Sequence, residues 1–157
     1  MNTRQRMLLA SLALLLAVAS IAIYTASAQE AAKPSFTFSS IKAVAVKHLN
    51  GTSTKLPAQL NLTFTVTDRF RSIITFTVQG ILDINGTTYQ VTSGWGIAHL
   101  KAKHLLIELY ASSGGEELHM LARGKAVAGG GEPYLILRGA AKAEGCWYSI
   151  FAILQRT

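Results

Sequence analysis

Apolar and polar residues alternate with a period of two along most of the chain. Between residues 60 and 67 apolar side chains occupy the even positions, and Asn or Thr occupies the odd ones. Between residues 74 and 84 the even positions are again apolar, and the odd ones are mostly polar. This period, together with many β-branched residues, is typical of strands that have one buried face. The pattern therefore predicts two half-buried strands.

The dipeptide Asn85-Gly86, directly after the second of these runs, predicts a two-residue hairpin turn. Asn-Gly favours the type I′ turn, whose twist matches that of two antiparallel strands. Such a turn sets Ile84 opposite Thr87 and, further along, Phe76 opposite Trp95. Directly opposed residues share one face of a sheet. This register therefore predicts that Trp95 is buried beside Phe76.

A second hairpin is predicted further along the chain. Apolar residues alternate on both sides of Ser- and Gly-containing positions 112–115, which predict a four-residue loop. Pairing across this loop sets Leu109 opposite Leu118 and Ile107 opposite Met120. The apolar faces of the two strands then coincide, as a shared core requires.

The C-terminal part of the chain predicts two more strands. A Gly-rich break over residues 129–133 interrupts the pattern, and residues 134–143 form the next predicted strand. Glu144-Gly145 predicts a tight turn. Residues 146–154 are apolar at both even and odd positions, which predicts a strand that is covered on both faces or faces a partner.

The first β-like segment, residues 36–49, changes its alternation near Ser39-Ser40, which predicts a bulge or two short strands. Residues 50–59, which include Pro57, predict a polar link. Such a link would leave the strand within residues 29–49 free to exchange between chains. The apolar side chains of this candidate exchange strand are Phe36, Phe38, Ile41, Val44 and Val46.

The whole pattern predicts an all-β domain over residues 29–157, with seven or eight antiparallel strands in a meander. A small closed barrel or a two-sheet sandwich would protect the sheet edges. The period alone does not choose between these two, nor does it say which face points inward. A transmembrane barrel has the inverse alternation. That alternative is disfavoured because one face is rich in Thr, with Lys, Arg and Glu, and no aromatic girdles are evident.

The N-terminus predicts an export signal. Arg4 and Arg6 precede an apolar run over residues 7–23, and Ala26-Ser27-Ala28 follows. This order is that of a secretory signal peptide, here residues 1–28. The run is also close to the length that spans a bilayer, so an uncleaved anchor is the alternative. We expect the domain to be secreted or at the cell surface, with membrane contact only through a retained N-terminal segment.

The charge distribution argues against nucleic acid as a partner. The signal carries two of the fifteen basic residues and none of the eight acidic ones, so the exported part keeps thirteen basic residues. These are scattered singly along the sequence rather than gathered in a run. A nucleic-acid footprint would be a clustered patch or stripe.

The histidines and carboxylates form no recognisable catalytic or metal-binding motif. His99 and His104 have opposite parity and form no obvious pair. In the predicted register Glu108 lies opposite His119, which is typical of a cross-strand ion pair. No third ligand for a metal is in sight, and nucleophile-elbow and phosphate-loop motifs are lacking. The sequence therefore predicts no catalytic residues, metal or cofactor, and it favours a non-enzymatic protein.

Two covalent modifications of exported proteins bear on this chain. The single cysteine, Cys146, cannot close an intramolecular disulfide. Beside Trp147 it is expected to be a small buried residue, with an intermolecular disulfide or a reactive thiol as the alternative. Three Asn-x-Thr sequons make Asn50, Asn61 and Asn85 candidate glycosylation sites.

Two functions are compatible with these features. The first is a non-enzymatic extracellular or cell-surface protein whose copies self-associate through strand edges, by β-strand addition. The link and the doubly apolar last strand favour it. The alternative is a secreted barrel that binds a small apolar ligand in its interior.

Processing after Ala28 is the first testable prediction. The exported protein should begin at Gln29, because the small residues at positions 26 and 28 fit the signal peptidase site. Intact mass or N-terminal sequencing checks this. A mass that still includes residues 1–28 would favour the anchored form.

Overall fold

The computed structural model describes residues 33–127 and 133–157, and both ranges belong to one closed antiparallel barrel. The expected signal peptide, its cleavage site and most of the Gly-rich break lie outside the described residues. Within them, no helix has the length and apolar composition needed to cross a membrane. The eight strands follow one another in chain order: β1 (Ser35–Leu49), β2 (Thr52–Phe70), β3 (Ile73–Ile84), β4 (Thr87–His99), β5 (His104–Ser113), β6 (Glu116–Val127), β7 (Tyr134–Ala143) and β8 (Cys146–Arg156).

Pairing of the first strand with the last closes the barrel. β1 is hydrogen-bonded to β2 on one side and to β8 on the other, so that Ala45 lies between Leu56 and Ile150. The predicted all-β meander is confirmed, and of the two predicted architectures the structure has the barrel. Closure gives every strand a hydrogen-bonded partner on both sides. It therefore removes most free sheet edges.

The inward face of the barrel is apolar. No polar or charged side chain among the described residues is classed as buried, and no buried polar side-chain atom there lacks a partner. This settles the orientation that the alternation left open. An eight-stranded barrel is just wide enough for its own side chains to fill it. The largest fully buried ones are Leu62, Leu82, Ile107, Leu109, Leu118, Met120, Leu137, Ile150, Leu154 and Val78.

The β3–β4 hairpin follows the predicted register only near its turn. Ile84 lies opposite Thr87, as predicted, but the register shifts by one residue between Thr77 and Ile81. Beyond the shift Trp95 lies opposite Thr77 instead of Phe76. A one-residue slip moves a side chain to the other face of the sheet. The predicted burial of Trp95 is therefore wrong, and its side chain is 47% exposed.

In the shifted register Gly96 makes room for a core side chain. Gly96 lies directly opposite the buried Phe76. A Cβ at Gly96 would stand 2.5 Å from the Cζ atom of Phe76, which is too close for two carbon atoms. Phe76 thus fills the space above a bare stretch of β4, and Trp95 beside Gly96 must point outward.

The β5–β6 hairpin has a shorter turn than the predicted four-residue loop. Ser113 pairs with Glu116 across the two residues Gly114-Gly115, which both have positive φ, 57° and 95°. Glycine adopts this conformation without the steric cost of a Cβ atom. Leu109 consequently lies opposite Met120 rather than Leu118. A shift of two residues keeps every side chain on its predicted face.

The first two strands also depart from the prediction. A bulge after Ser39 is confirmed, but the structure has a turn at Asn50-Gly51 in place of the polar link expected over residues 50–59. β2 begins at Thr52. Pro57 fits in this strand because it lies just before the first residue of the β2–β3 ladder, Ala58. Its carbonyl accepts a hydrogen bond from the backbone N–H of Asn85, beyond the end of β3. A proline there removes no bond from the β2–β3 ladder.

The last strand is covered by the core on one face only. Cys146 is buried, as expected for a small apolar residue, and it begins the inward row of β8. Trp147 and Phe151 point outward, with exposed fractions of 55% and 43%. The apolar residues of both parities in this strand therefore divide between the core and the outer surface.

The first prediction from the fold contrasts Phe76 with Trp95. Phe76→Ala should lower the free energy of unfolding by about 3–5 kcal/mol, because it leaves a cavity in the core. Trp95→Ala should cost less than about 1 kcal/mol, as surface substitutions usually do. Urea denaturation of both variants checks this. Equal losses of stability in the two variants would contradict the one-residue shift and favour the register predicted from the sequence.

Tyr89 gives a second prediction, for alkaline pH. Burial, together with the negative charge of Glu144, raises the pKa of Tyr89 from 10.0 to about 12. Between these values the unfolded chain loses the phenolic proton and the folded protein keeps it. The contribution of Tyr89 is thus intact below pH 10 and is lost as the pH rises to 12, by about 2–3 kcal/mol. Urea denaturation across this pH range measures the loss.

The matched control is Tyr89→Phe, which removes the ionisable hydroxyl and keeps the ring. The other tyrosines still titrate in this variant, so the difference between the two proteins isolates Tyr89. The variant should lose less stability between about pH 10 and about pH 12. An identical alkaline loss in both proteins would contradict the assigned pKa.

Candidate functional site

A groove of about 780 Å³ lies on the outer face of β5, β6 and β7. We call it the outer groove. Its basic side chains are His104, Arg123, Lys125 and Arg138, and its apolar walls are Leu106, Leu121 and Ile136. Small residues form the rest of its lining: Ala122, Gly124, Gly139 and Ala140.

Strand register brings the basic side chains of the groove together. Arg123 on β6 lies directly opposite Arg138 on β7, and Lys125 lies opposite His104 on β5. All four side chains are exposed. Because alternate residues of a strand face the same side, Arg123 and Lys125 share the outer face of β6. The sheet thereby collects cations that are scattered in the sequence.

The two opposed arginines have no acidic partner in the described part of the chain. The ion pair found there joins His119 to Glu108. Like charges directly opposite one another in a sheet are destabilising. Arg138 has a partial substitute, since its guanidinium carbon stands 6.0 Å from the ring centroid of Phe151. An anion between Arg123 and Arg138 would remove the repulsion.

Exposed apolar side chains flank these charges. Leu106 lies directly opposite Arg123, and Leu121 lies opposite Ala140. Leu106 and Leu121 are 41% and 50% exposed, and Ile136 is also exposed. The outer groove therefore offers guanidinium groups and apolar surface to the same bound molecule.

A cluster of three side chains lies beside the outer groove. His119 Nε2 stands 2.9 Å from Glu108 Oε1, and the Tyr110 hydroxyl donates a hydrogen bond of 3.3 Å to the same oxygen. The rings of Tyr110 and His119 are stacked, with centroids 4.5 Å apart. The Glu108 carboxylate raises the pKa of Tyr110 above its usual value.

The predicted contact between Glu108 and His119 thus forms, although the predicted register is wrong. Tyr110 is the residue directly opposite His119, and Glu108 reaches it along the diagonal. His99 and His104 were not expected to pair, but they lie directly opposite each other on β4 and β5. His99 Nδ1 accepts a hydrogen bond from the backbone of Ala102. In the residues that the structure describes, no three His, Cys, Asp or Glu side chains gather around one point.

The three candidate glycosylation sites are all exposed. Asn50 and Asn85 stand in the β1–β2 and β3–β4 turns with positive φ, and Asn61 points outward from the middle of β2. None of them lines the outer groove.

The candidate exchange strand is part of the barrel wall. Phe38 packs edge-on against Phe64 with ring centroids 5.6 Å apart, and Phe36 lies beneath the Arg156 guanidinium. Ile41 at the bulge is 58% exposed. The remaining two, Val44 and Val46, are half-buried and pair with both β2 and β8.

Comparisons of the chain with protein-family models, with curated proteins and with solved structures give no significant match. The geometry of the barrel and of its surface therefore carries the functional argument.

Proposed function

We propose that the mature chain is an exported, non-enzymatic barrel protein that binds anionic amphiphiles in the outer groove. The observation that carries this proposal is the direct opposition of Arg123 and Arg138. They have no carboxylate partner in the described residues and lie beside exposed leucines. The signal-like sequence of the N-terminus supports the exported location, and the chemistry of the groove supports a binding role.

The ligand class follows from the paired guanidinium groups. Arginine presents N–H donors in a planar fork that matches the two oxygens of a carboxylate or phosphate. A molecule with such a head and an alkyl or aromatic tail would neutralise Arg123 and Arg138. Its tail would cover Leu106 and Leu121. The arginines would then have a counter-ion, and the leucines would be shielded from water.

The composition of the groove favours binding over catalysis. Its charged and polar side chains are two arginines, a lysine and a histidine, all of which donate hydrogen bonds to an anion. A general-base or nucleophilic mechanism would instead place a base beside a nucleophile. Glu108, the nearest acid described above, is already engaged by His119 and Tyr110.

The outer location is favoured over a ligand inside the barrel. Ten large apolar side chains fill the interior and are less than 2% exposed. Replacing them with a ligand would require the core to repack, and interiors are densely packed. The outer groove needs no such rearrangement.

Self-association is the second candidate function, and a short free edge favours it. The first residues of β2, from Thr52 to Leu56, pair with β1 but extend past the last β3 pair, Ala58 with Ile84. A second copy could add a strand there. Light scattering on the mature protein tests this, and a strict monomer at every concentration would end it.

The groove itself yields the next prediction. Decanoate and decyl phosphate should bind the mature protein, as measured by calorimetry, whereas decanol and acetate should bind much more weakly. Each probe of the second pair lacks one of the two features that the groove recognises. Arg123→Gln and Arg138→Gln should each weaken decanoate binding by about tenfold or more, because each removes charge-assisted hydrogen bonds.

Lys55→Gln is the matched control, since it removes one exposed cation outside the groove. It should leave decanoate binding unchanged. Leu121→Ser should weaken decanoate binding but not that of acetate. Decanoate binding that persists in the Arg123→Gln/Arg138→Gln double variant would refute the proposed site, and so would equal binding of decanol.

A further inference from the structure

One end of the barrel carries a second basic and apolar surface, separate from the outer groove. It consists of residues 69–73 around the β2–β3 turn and residues 99–103 around the β4–β5 loop. We call it the basic tip. Its cations are Arg69, Arg71, Lys101 and Lys103, and its exposed apolar side chains are Phe70, Ile73 and Leu100.

Backbone hydrogen bonds join the two loops of the basic tip into one surface. The N–H of Leu100 donates to the carbonyl oxygen of Ser72 at 2.8 Å. The carbonyl of Lys103 accepts a bond of 2.9 Å from the N–H of Ala126 on β6. The exposed side chains therefore project from loops that are fixed to the barrel wall.

The apolar side chains of the tip are unusually exposed. Phe70 is 67% exposed, which is the highest value among the large apolar side chains that the structure describes, and Leu100 is 42% exposed. The Arg71 guanidinium carbon lies 5.3 Å from the centroid of the Phe70 ring. Such solvent exposure of apolar side chains is unfavourable unless another surface covers them.

A depression of about 500 Å³ lies among the cations of the tip. Arg69, Arg71 and Lys101 line it together with Ser72 and Leu100. It combines three positive charges with a hydroxyl donor, which suits the phosphate of a lipid head group.

The acidic residues of the barrel are concentrated at the end opposite the tip. Among the acids that the structure describes, Asp68 is next to the tip in sequence, and its carboxylate accepts a hydrogen bond from the backbone N–H of Arg69. The other end, formed by the β1–β2, β3–β4, β5–β6 and β7–β8 turns, carries most of the acids that the structure describes. These are Asp83, Glu116, Glu117 and Glu144. Lys47, Lys55 and Lys142 offset these acids, so an anionic surface would attract the tip more strongly than the opposite end.

From these features we infer that the basic tip docks the barrel onto a bilayer that contains anionic lipids. Arg69, Arg71, Lys101 and Lys103 meet the head groups, while Phe70 and Leu100 enter the interfacial region. Cations beside exposed aromatic and aliphatic residues are the combination that binds anionic membrane surfaces. The chain also enters the barrel at this end, since the carbonyl of Pro34 accepts a hydrogen bond from Val66.

A bilayer fits the tip better than a protein partner does. Single apolar side chains that project from turns can enter a soft lipid interface, whereas a protein would need a complementary pocket for each. Four cations around them match the uniform negative charge of such a surface. The proposal does not depend on the ligand of the outer groove.

Vesicle co-sedimentation of the mature protein tests the inference. The protein should bind vesicles of equimolar phosphatidylcholine and phosphatidylglycerol more tightly than vesicles of phosphatidylcholine alone. Added salt should weaken the binding by screening the charges. Arg71→Gln and Lys101→Gln should each weaken it about fivefold. Phe70→Ser should weaken it about tenfold.

The controls match these substitutions at the opposite end of the barrel. Lys55→Gln removes a cation there, and Trp147→Ser removes an exposed aromatic ring; neither should change vesicle binding. A Phe70→Trp variant should also show fluorescence quenching by brominated lipids, which reports insertion directly. Lack of quenching, or equal binding to neutral and anionic vesicles, would overturn the inference.

Cross-tests separate this inference from the proposed groove function. Phe70→Ser should lose vesicle binding and keep the binding of soluble decanoate. The Arg123→Gln/Arg138→Gln double variant should keep vesicle binding and lose the binding of soluble decanoate. If only the double variant lost vesicle binding, the groove and not the tip would be the membrane contact, and the docking inference would be wrong.

Discussion

The hydrogen-bonded ladder between β1 and β8 is the constraint on which the rest of the structure depends. It runs from Phe38 opposite Arg156 to His48 opposite Trp147, so the meander closes on itself within one chain. Closure fixes which side of every strand is inside. Because the inside is filled with the chain's own apolar residues, recognition of other molecules is left to the outer surface and the two ends. Exchange of β1 between copies would have to break its ladders with both neighbours.

Within the closed barrel, inner packing decides what the outer surface displays. Gly96 leaves room for the Phe76 ring. The one-residue shift that sets Gly96 opposite Phe76 also makes Trp95 point outward. The same reasoning applies to Gly139, where a Cβ would lie 2.7 Å from that of Ala122. The inner face of the sheet therefore has little side chain at this point, beneath the arginines that project from the outer faces of β6 and β7. The surface of β4 to β7 is thus a consequence of where the core places its large and small residues.

The alternation was sufficient to predict most of the strands, but it left open which of their faces points inward. Residues 134–143 coincide with β7, and the Asn85-Gly86 and Glu144-Gly145 turns are where they were predicted. The shift in β3–β4 was not predictable, because it depends on contacts of Phe76 with residues distant in sequence. The outer groove was missed for a similar reason. Arg123 and Arg138 become neighbours only through the β6–β7 register, and a Gly-rich connection without a recognisable tight turn does not define that register.

The outer groove and the basic tip are connected by the chain. Lys103 at the tip is followed by His104, which lines the groove opposite Lys125. Asp83, Glu116, Glu117 and Glu144 lie at the other end of the barrel. Electrostatic attraction would therefore orient the tip toward an anionic surface. A barrel docked in this way would hold the mouth of the groove beside the lipid head groups. Anionic amphiphiles are concentrated there, and transfer between the bilayer and the groove would not require the molecule to cross open water. The exposed Leu106 and Ile136 would then be covered by the ligand, while the filled interior would remain unchanged.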